Sequence, residues 1–343
     1  MKGRFGKWMM WLPVCMTLSA ADAAADSRPV LDGIISGHIV PRYQALEAAA
    51  DDLSKAIQAD CRDDAPGDAG SRAAFSSALL AWQSIQHIRF GPVMVDNRHY
   101  RFEFWPDKHG QGARQLRKLL AAGRDKIPSA DRIGKSSVAI QGFPALERVI
   151  HGKISDAAAA CALAESIAGN LKAMSSDVVE EWSSWQPGSV PDMGKLLARN
   201  LADQLDVMAG LKLARPLGET LETARPRRAE HWRSALSYAA LAANFDGLHG
   251  FFAGENSQPG LRAWTVAGGA PAHQADQLAE HLKFGSTFVG WQKVPLHDAV
   301  SDRGARDKAA FLASHVRHTE DLVKSVVYPA LGVAAGFNSQ DGD

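Results

Sequence analysis

The sequence predicts an all-α protein built as two packed four-helix-bundle-like halves. Apolar residues recur at helical spacing in segment after segment, and few stretches alternate in the manner of strands. The clearest central interruption is Gln186-Pro-Gly-Ser-Val-Pro191, which reads as a boundary. About four helical patterns lie on either side of it, enough for one bundle each. The 343 residues are 46% hydrophobic and 22% charged, a composition that allows each half its own core.

Residues 30–60 carry Ile39, Tyr43, Leu46, Leu53 and Ile57 on one helical face, with Pro41 expected to begin or kink the regular part. A Pro-Gly-Asp loop ends in Ser71, an expected N-cap for a helix over 71–89. Residues 90–110 then break the periodicity with Gly91, Pro92, Asp96-Asn97 and Pro106, and RFEFW (101–105) alternates as an extended segment would. A loop of this length in a compact domain tends to be functional. Helices are expected over 111–122, 136–151 and 155–185, and after the boundary over 192–213, 227–252, 270–291 and 305–331. The segments 214–226 and 253–269, rich in Pro and Gly, separate them. Trp82, Trp182, Trp185 and Trp232 fit helical core stripes.

The N-terminus reads as an export signal over residues 1–25. Lys2, Arg4 and Lys7 precede a short apolar stretch from Trp8 to Leu18 and small residues ending at Ala23 or Ala25. No run is long enough to span a bilayer. A periplasmic, exported location follows, with bundles expected over 26–186 and 192–343. Removing the signal takes away three basic residues and one acidic one, leaving a formal charge of −2, so there is no global attraction to nucleic acid or to an anionic membrane. Cys15 falls within the signal and offers a lipid-anchoring alternative. Cys61 and Cys161 remain as an even pair in an oxidising compartment, where a disulfide is the expected state.

The residues with chemical interest begin at QGFPALERVIHG (141–152). Pro144 suits the first turn of a helix, where a missing N–H costs nothing, with Gln141 or Gly142 near the cap. Glu147, about a turn further in, gains from the positive helix end, and His151 lies four residues on along the same face. Four segments together resemble the imelysin-like family: AWQSIQHIRFGPV (81–93), NRHYRFEFWPD (97–107), QGFPALE (141–147) and LGVAAGFNSQDGD (331–343). In that family a Gly-x-His-x-x-Glu signature places an imidazole and a carboxylate one turn apart on one helical face. Here Pro144 stands at the His position, as expected for the family's predicted periplasmic lipoprotein branch.

The resemblance implies two related helical bundles with a site at their junction, and an exported protein of a family associated with iron uptake and once classed with metallopeptidases. Glu147 is then the retained acidic member of the site. Arg89, Arg98 and Arg101, around the long loop, supply forks suited to anions. Asp341 and Asp343 in the terminal segment offer oxygen ligands for a hard cation. The candidate metal set is Glu147, His151, Asp341 and Asp343, and the cargo would be iron or a divalent cation. HVRHTED (315–321) places His315 and His318 three residues apart, a further metal-compatible pair. No HExxH, Gly-x-Ser-x-Gly or GxxxxGK[ST] occurs. The leading expectation is a non-catalytic binding component of periplasmic iron or metal handling, whose partners are a metal ion or envelope iron-uptake proteins. The alternatives are a metallopeptidase, or an envelope protein that binds a partner through the arginine-rich loop.

Overall fold

The computed structural model describes residues 27–334. The first half contains α1 (residues 28–60), α2 (Ala69–Gln83), α3 (Arg98–Phe102), α4 (Gln111–Ala121), α5 (Ala130–Ile133), α6 (Gly142–Ile150) and α7 (Ala157–Ser184). The second contains α8 (residues 190–217) and α9 (Ser237–Ala253), then the strands β1 (Gly254–Glu255) and β2 (Gln258–Pro259). After these come α10 (Leu261–Ala267), α11 (Ala272–Gly290), α12 (Leu296–Ala299) and α13 (residues 303–330). Helix α1 packs on α2 and α7, and α6 closes the first bundle against α7; α8, α9, α11 and α13 make the second. The halves meet chiefly where α2 crosses α9. Gly247 permits that crossing, because a Cβ there would lie 1.9 Å from the Ser84 carbonyl oxygen.

Proline placement explains the shape of the three longest interrupted helices. Pro41 cannot donate to the Gly37 carbonyl, and its ring would press on that group in a regular helix. The turn before it widens into a π-helix over Ile35–Ile39, in which the Val40 N–H reaches back to the Ile35 carbonyl. The Gly37 carbonyl instead accepts a bond from Asn256 Nδ2 at 2.8 Å. Helices α8 and α13 repeat the device, with π turns at Val207–Ala214 and Val323–Val327, each ending two residues before a proline (Pro216, Pro329). Asn256 sits in the tight β1–β2 connection, where it and Ser257 take left-handed conformations (φ 51° and 62°) suited to a two-residue hairpin turn.

Buried aromatic residues tie the irregular segments to this frame. Trp82 of α2 stacks on Phe102 at 4.7 Å, anchoring the loop that follows α3, and Phe75 meets Phe143 of α6 at 6.1 Å. Cys61 and Cys161 are joined in a disulfide that links the end of α1 to the start of α7. Among the described residues no helix is long and apolar enough to cross a membrane.

Several boundaries differ from expectation for local reasons. Asp68 rather than Ser71 caps α2, while the Ser71 N–H is held by Asp60 at 2.8 Å. The helix stops at Gln83, with turns following it. RFEFW is not uniformly extended: Arg101 and Phe102 end α3, which Asp96 and Asn97 start by reversing the chain at φ 50° and 56°. The expected helix over 227–252 begins only at Ser237, because His231 and Ala235 both adopt positive φ (49° and 60°). Trp232 is accordingly half-buried at a cleft rather than in a core stripe, whereas Trp82 and Trp182 are buried as expected. The signal segment, Cys15, Asp341 and Asp343 lie outside the described residues.

Candidate functional site at the junction of the halves

Gly142 makes the site helix possible. It stands at φ 70°, and a Cβ there would meet the carbonyl oxygens of Arg101 and Phe102 at 2.2 and 2.3 Å. Its backbone therefore lies directly against the α3 terminus. The extended residue Gln141 caps α6, its side chain bonding the Ser136 carbonyl and accepting from Arg101. Pro144 lies in the first turn, where no helical N–H is forfeited. Glu147 then projects from α6 to the junction, only 3% exposed.

Glu147 meets the 226–236 loop of the other half. Its Oε1 accepts from the Ser234 N–H at 2.9 Å and from Ser234 Oγ at 2.8 Å, and its Oε2 lies 4.0 Å from His231 Nδ1. The left-handed backbone of His231 turns the imidazole inward, where Nε2 lies 3.4 Å from Glu103 Oε2. Glu103 is buried, yet neither of its carboxylate oxygens makes a hydrogen bond. Glu230 pairs with Lys212 Nζ at 2.8 Å. The π turn of α8 carries this buried ammonium, which also donates to Gln83 of α2 (2.7 Å) and Asn244 of α9 (2.8 Å). One ligand atom each from Glu103, Glu230 and His231 falls within a 4.8 Å group, a donor set compatible with a metal ion.

The electrostatics of this cluster follow from burial and close charges. Burial raises the Glu103 carboxyl above its ordinary range. Burial alone would lower His231, but the carboxylates of Glu103, Glu230 and Glu147 outweigh it and hold the imidazole at about 9. At neutral pH His231 is therefore an imidazolium. Lys212 and His231 together face three buried carboxylates.

Above this cluster a cleft of about 160 Å³ opens between the halves. Its floor includes Pro144 and Glu147 and its walls include Trp105 and Trp232. Six basic side chains line it: Lys108, Arg148, Arg215, Arg227, Arg228 and Arg233. Sequence reading missed this set and the Glu103–Glu230–His231 group. The available signal was the dense run ARPRRAEHWR (224–233), which helical periodicity had absorbed.

The expected arginines lie elsewhere. Arg98 forms a forked pair with Glu181 (2.8 and 2.7 Å) and also bonds the Pro92 carbonyl. Arg101 binds Gln141 and Asn170 along a separate groove beside α7. Burial lowers Arg89, which faces Asp203 and Asp206 of α8. His151 packs on Phe75 at 5.7 Å, and its contact with Glu147 is through the backbone, His151 N–H to the Glu147 carbonyl. His315 and His318 gather with His281 between α11 and α13, the His281 and His315 rings lying 5.2 Å apart. None of these histidines belongs to a converging metal-donor group among the described residues.

A second buried polar string runs inward from β1. Arg42 and His38 both bond Glu255, at 2.8 Å in each case, and His38 Nε2 lies 3.1 Å from His87 Nε2. Burial opposes ionisation of Glu255, but its bonds from His38 and Arg42 prevail and bring it to about 2. Burial, with the charge of Arg42 nearby, drives His87 well below the usual imidazole range.

Fold and site together define a two-bundle helical protein with an acidic–imidazole cluster sealed beneath a basic cleft. The chain belongs to the imelysin family, whose model matches residues 39–320. No curated protein matches the chain. Solved structures that share its fold include the following two. One is an imelysin-like protein from Psychrobacter arcticum 273-4, 19% identical, covering 93% of this chain and 98% of its own, with a TM-score of 0.75. The other is a protein described as an iron-regulated protein A precursor, from Parabacteroides distasonis ATCC 8503. It is 14% identical, covers 91% of this chain and 96% of its own, and has a TM-score of 0.69.

Proposed function

We propose that this protein is an exported, non-catalytic binding component of periplasmic iron or metal handling, which holds a cation at the junction of its two halves. The observation that carries the reading is the convergence of buried Glu103, Glu230 and His231, in which the one close partner of the Glu103 carboxylate is the His231 imidazole at 3.4 Å. A carboxylate in that setting is costly unless a proton or a cation shares it, a charge that His231 supplies and that a bound metal would replace. Glu147, beneath Pro144, holds the Ser234 loop in place and adds a third negative charge close to His231. Family membership and the iron-regulated neighbour favour iron among possible cargoes. Iron here is cargo, so the ligands need only capture and release it.

A hydrolytic role lacks comparable support. Catalytic zinc commonly uses three protein ligands and an open position for water. In this cluster any metal must first displace Lys212 from Glu230 and the proton from His231, which suits exchangeable cargo better than a resident catalytic ion. Titration of the exported chain with ferric and divalent ions, beside Glu103→Gln and Glu147→Gln, tests the proposal. Saturable binding that Glu103→Gln weakens roughly 10-fold or more supports it, since a charged ligand typically contributes that much. Identical negligible uptake by all three proteins would refute it.

A further inference from the structure

The basic cleft draws its cationic side chains from across the fold. Lys108, Arg148, Arg215, Arg227, Arg228 and Arg233 come from four separate places: the loop after α3, α6, the end of α8, and the 226–236 loop. None of the six forms an ion pair or a side-chain hydrogen bond among the described residues. Lys108, Arg227 and Arg228 are exposed and reach solvent, whereas Arg148, Arg215 and Arg233 are half-buried and still unpaired, so the wall of the cleft leaves their forks open. The structure shows what such pairing looks like elsewhere, where Arg98 grips Glu181 and Arg262 grips Asp276.

Only two carboxylates line the cleft, and both are already engaged. Asp107 accepts from the N–H groups of Gln111 and Gly112 at 2.8 and 2.9 Å, capping α4. Glu147 Oε1 is bonded to Ser234. Six Lys and Arg side chains thus face a space lined by only two carboxylates, neither of which pairs with them directly. Desolvation lowers Arg233 to about 10, with repulsion from Arg148 and Arg227 adding to it, so it remains a guanidinium at neutral pH. Trp232 holds two of the forks in place, with Arg233 4.3 Å and Arg227 5.7 Å from its ring centre. Stacking of this kind pre-organises the forks and leaves their N–H edges free for bonding.

We propose that this cleft binds a compact oxyanion carrying two or more negative charges, a phosphate or a small polycarboxylate. A volume of about 160 Å³ resembles a cavity that holds one six-membered ring, of ~150 Å³. The mature formal charge of −2 gives no broad basic surface for a nucleic acid or a membrane to track. Guanidinium forks recognise planar carboxylates and tetrahedral phosphate oxygens in pairs, the geometry these two anion classes share. The cleft shares Glu147 and His231 with the cluster below, but the inference needs no metal to be bound.

The test is calorimetric titration of the metal-depleted full chain, at low ionic strength, with inorganic phosphate in one arm and citrate in the other. Saturable binding in either arm is expected, and the tighter arm identifies the class of anion. The Arg148→Gln/Arg233→Gln double variant should lose roughly 10-fold or more, as charged hydrogen bonds predict. The Lys counterpart, Arg148→Lys/Arg233→Lys, keeps the charge but not the fork and should fall between. Arg262→Gln, remote in a pair with Asp276, should match the parent. Glu147→Gln should tighten the anion while weakening a metal cation, so failure of the cation reading leaves this result legible. Circular dichroism confirms that each variant is folded. Absence of binding in both arms at millimolar anion, or equal binding by parent and double variant, overturns the proposal.

Discussion

At the scale of single residues, His231 is the group whose charge state matters most. Its pKa of about 9 stands above the ordinary 6.5, so its protonation favours the folded state. That contribution is complete below pH 6.5 and is lost as the pH rises through 9. Glu103, also raised, acts in the same direction at the lower end of the range. The expected result is a parent protein whose denaturant midpoint falls between pH 6.5 and 9, and a His231→Gln variant whose midpoint is flatter there. Parallel curves for the two proteins would contradict the assigned ionisation. Glu255 works in the opposite sense: its folded pKa of about 2 contributes stability above the ordinary 4.5 that disappears with acid. Gly142 makes a purely steric prediction. Gly142→Ala should cost about 2–3 kcal/mol, because the new Cβ clashes with two carbonyls at a positive φ, and a melting curve measures it.

At the scale of elements, the π turns have a use beyond accommodating proline. The first carries His38 into contact with His87, and the second carries Lys212 to Gln83 and Asn244, so both place a polar side chain in the interior between bundles. Pairing at that depth is costly to break from one side. Lys212→Met should destabilise the fold by about 3–5 kcal/mol, since Glu230 would remain as a buried charge without its partner. The double change Lys212→Met/Glu230→Gln should recover part of the loss in the same unfolding experiment. The α2–α9 crossing is equally demanding. Gly247→Ala should separate the elements or distort them, because Ser84 backbone occupies the added methyl's place. Helices such as α7 and α11 were legible within a few residues, since their apolar period is written locally. The segment 227–236 was not. Ala, Glu, Trp, Arg and Leu there satisfy helical propensity, while the reversals at His231 and Ala235 are imposed by partners from α6 and the α3 loop.

At the scale of the whole molecule, the all-α class and the two-half plan followed from periodicity and one central break. Of the candidate cluster, sequence reading singled out Glu147 alone, because the other members converge from positions between 83 and 244 that no local pattern connects. The Cys61–Cys161 bridge encloses the α3 loop and α6, and thus one complete side of the junction. Reduction should lower the unfolding free energy by about 2–5 kcal/mol, read as a shifted denaturant midpoint with and without reductant. If the cluster holds a cation as proposed, its burial has a final consequence for how that cargo loads. With Lys212 and His231 already balancing the acids, an incoming cation trades places with hydrogen ions rather than filling a vacant hole. Loading in weakly buffered solution should acidify the medium, and acidity should drive unloading.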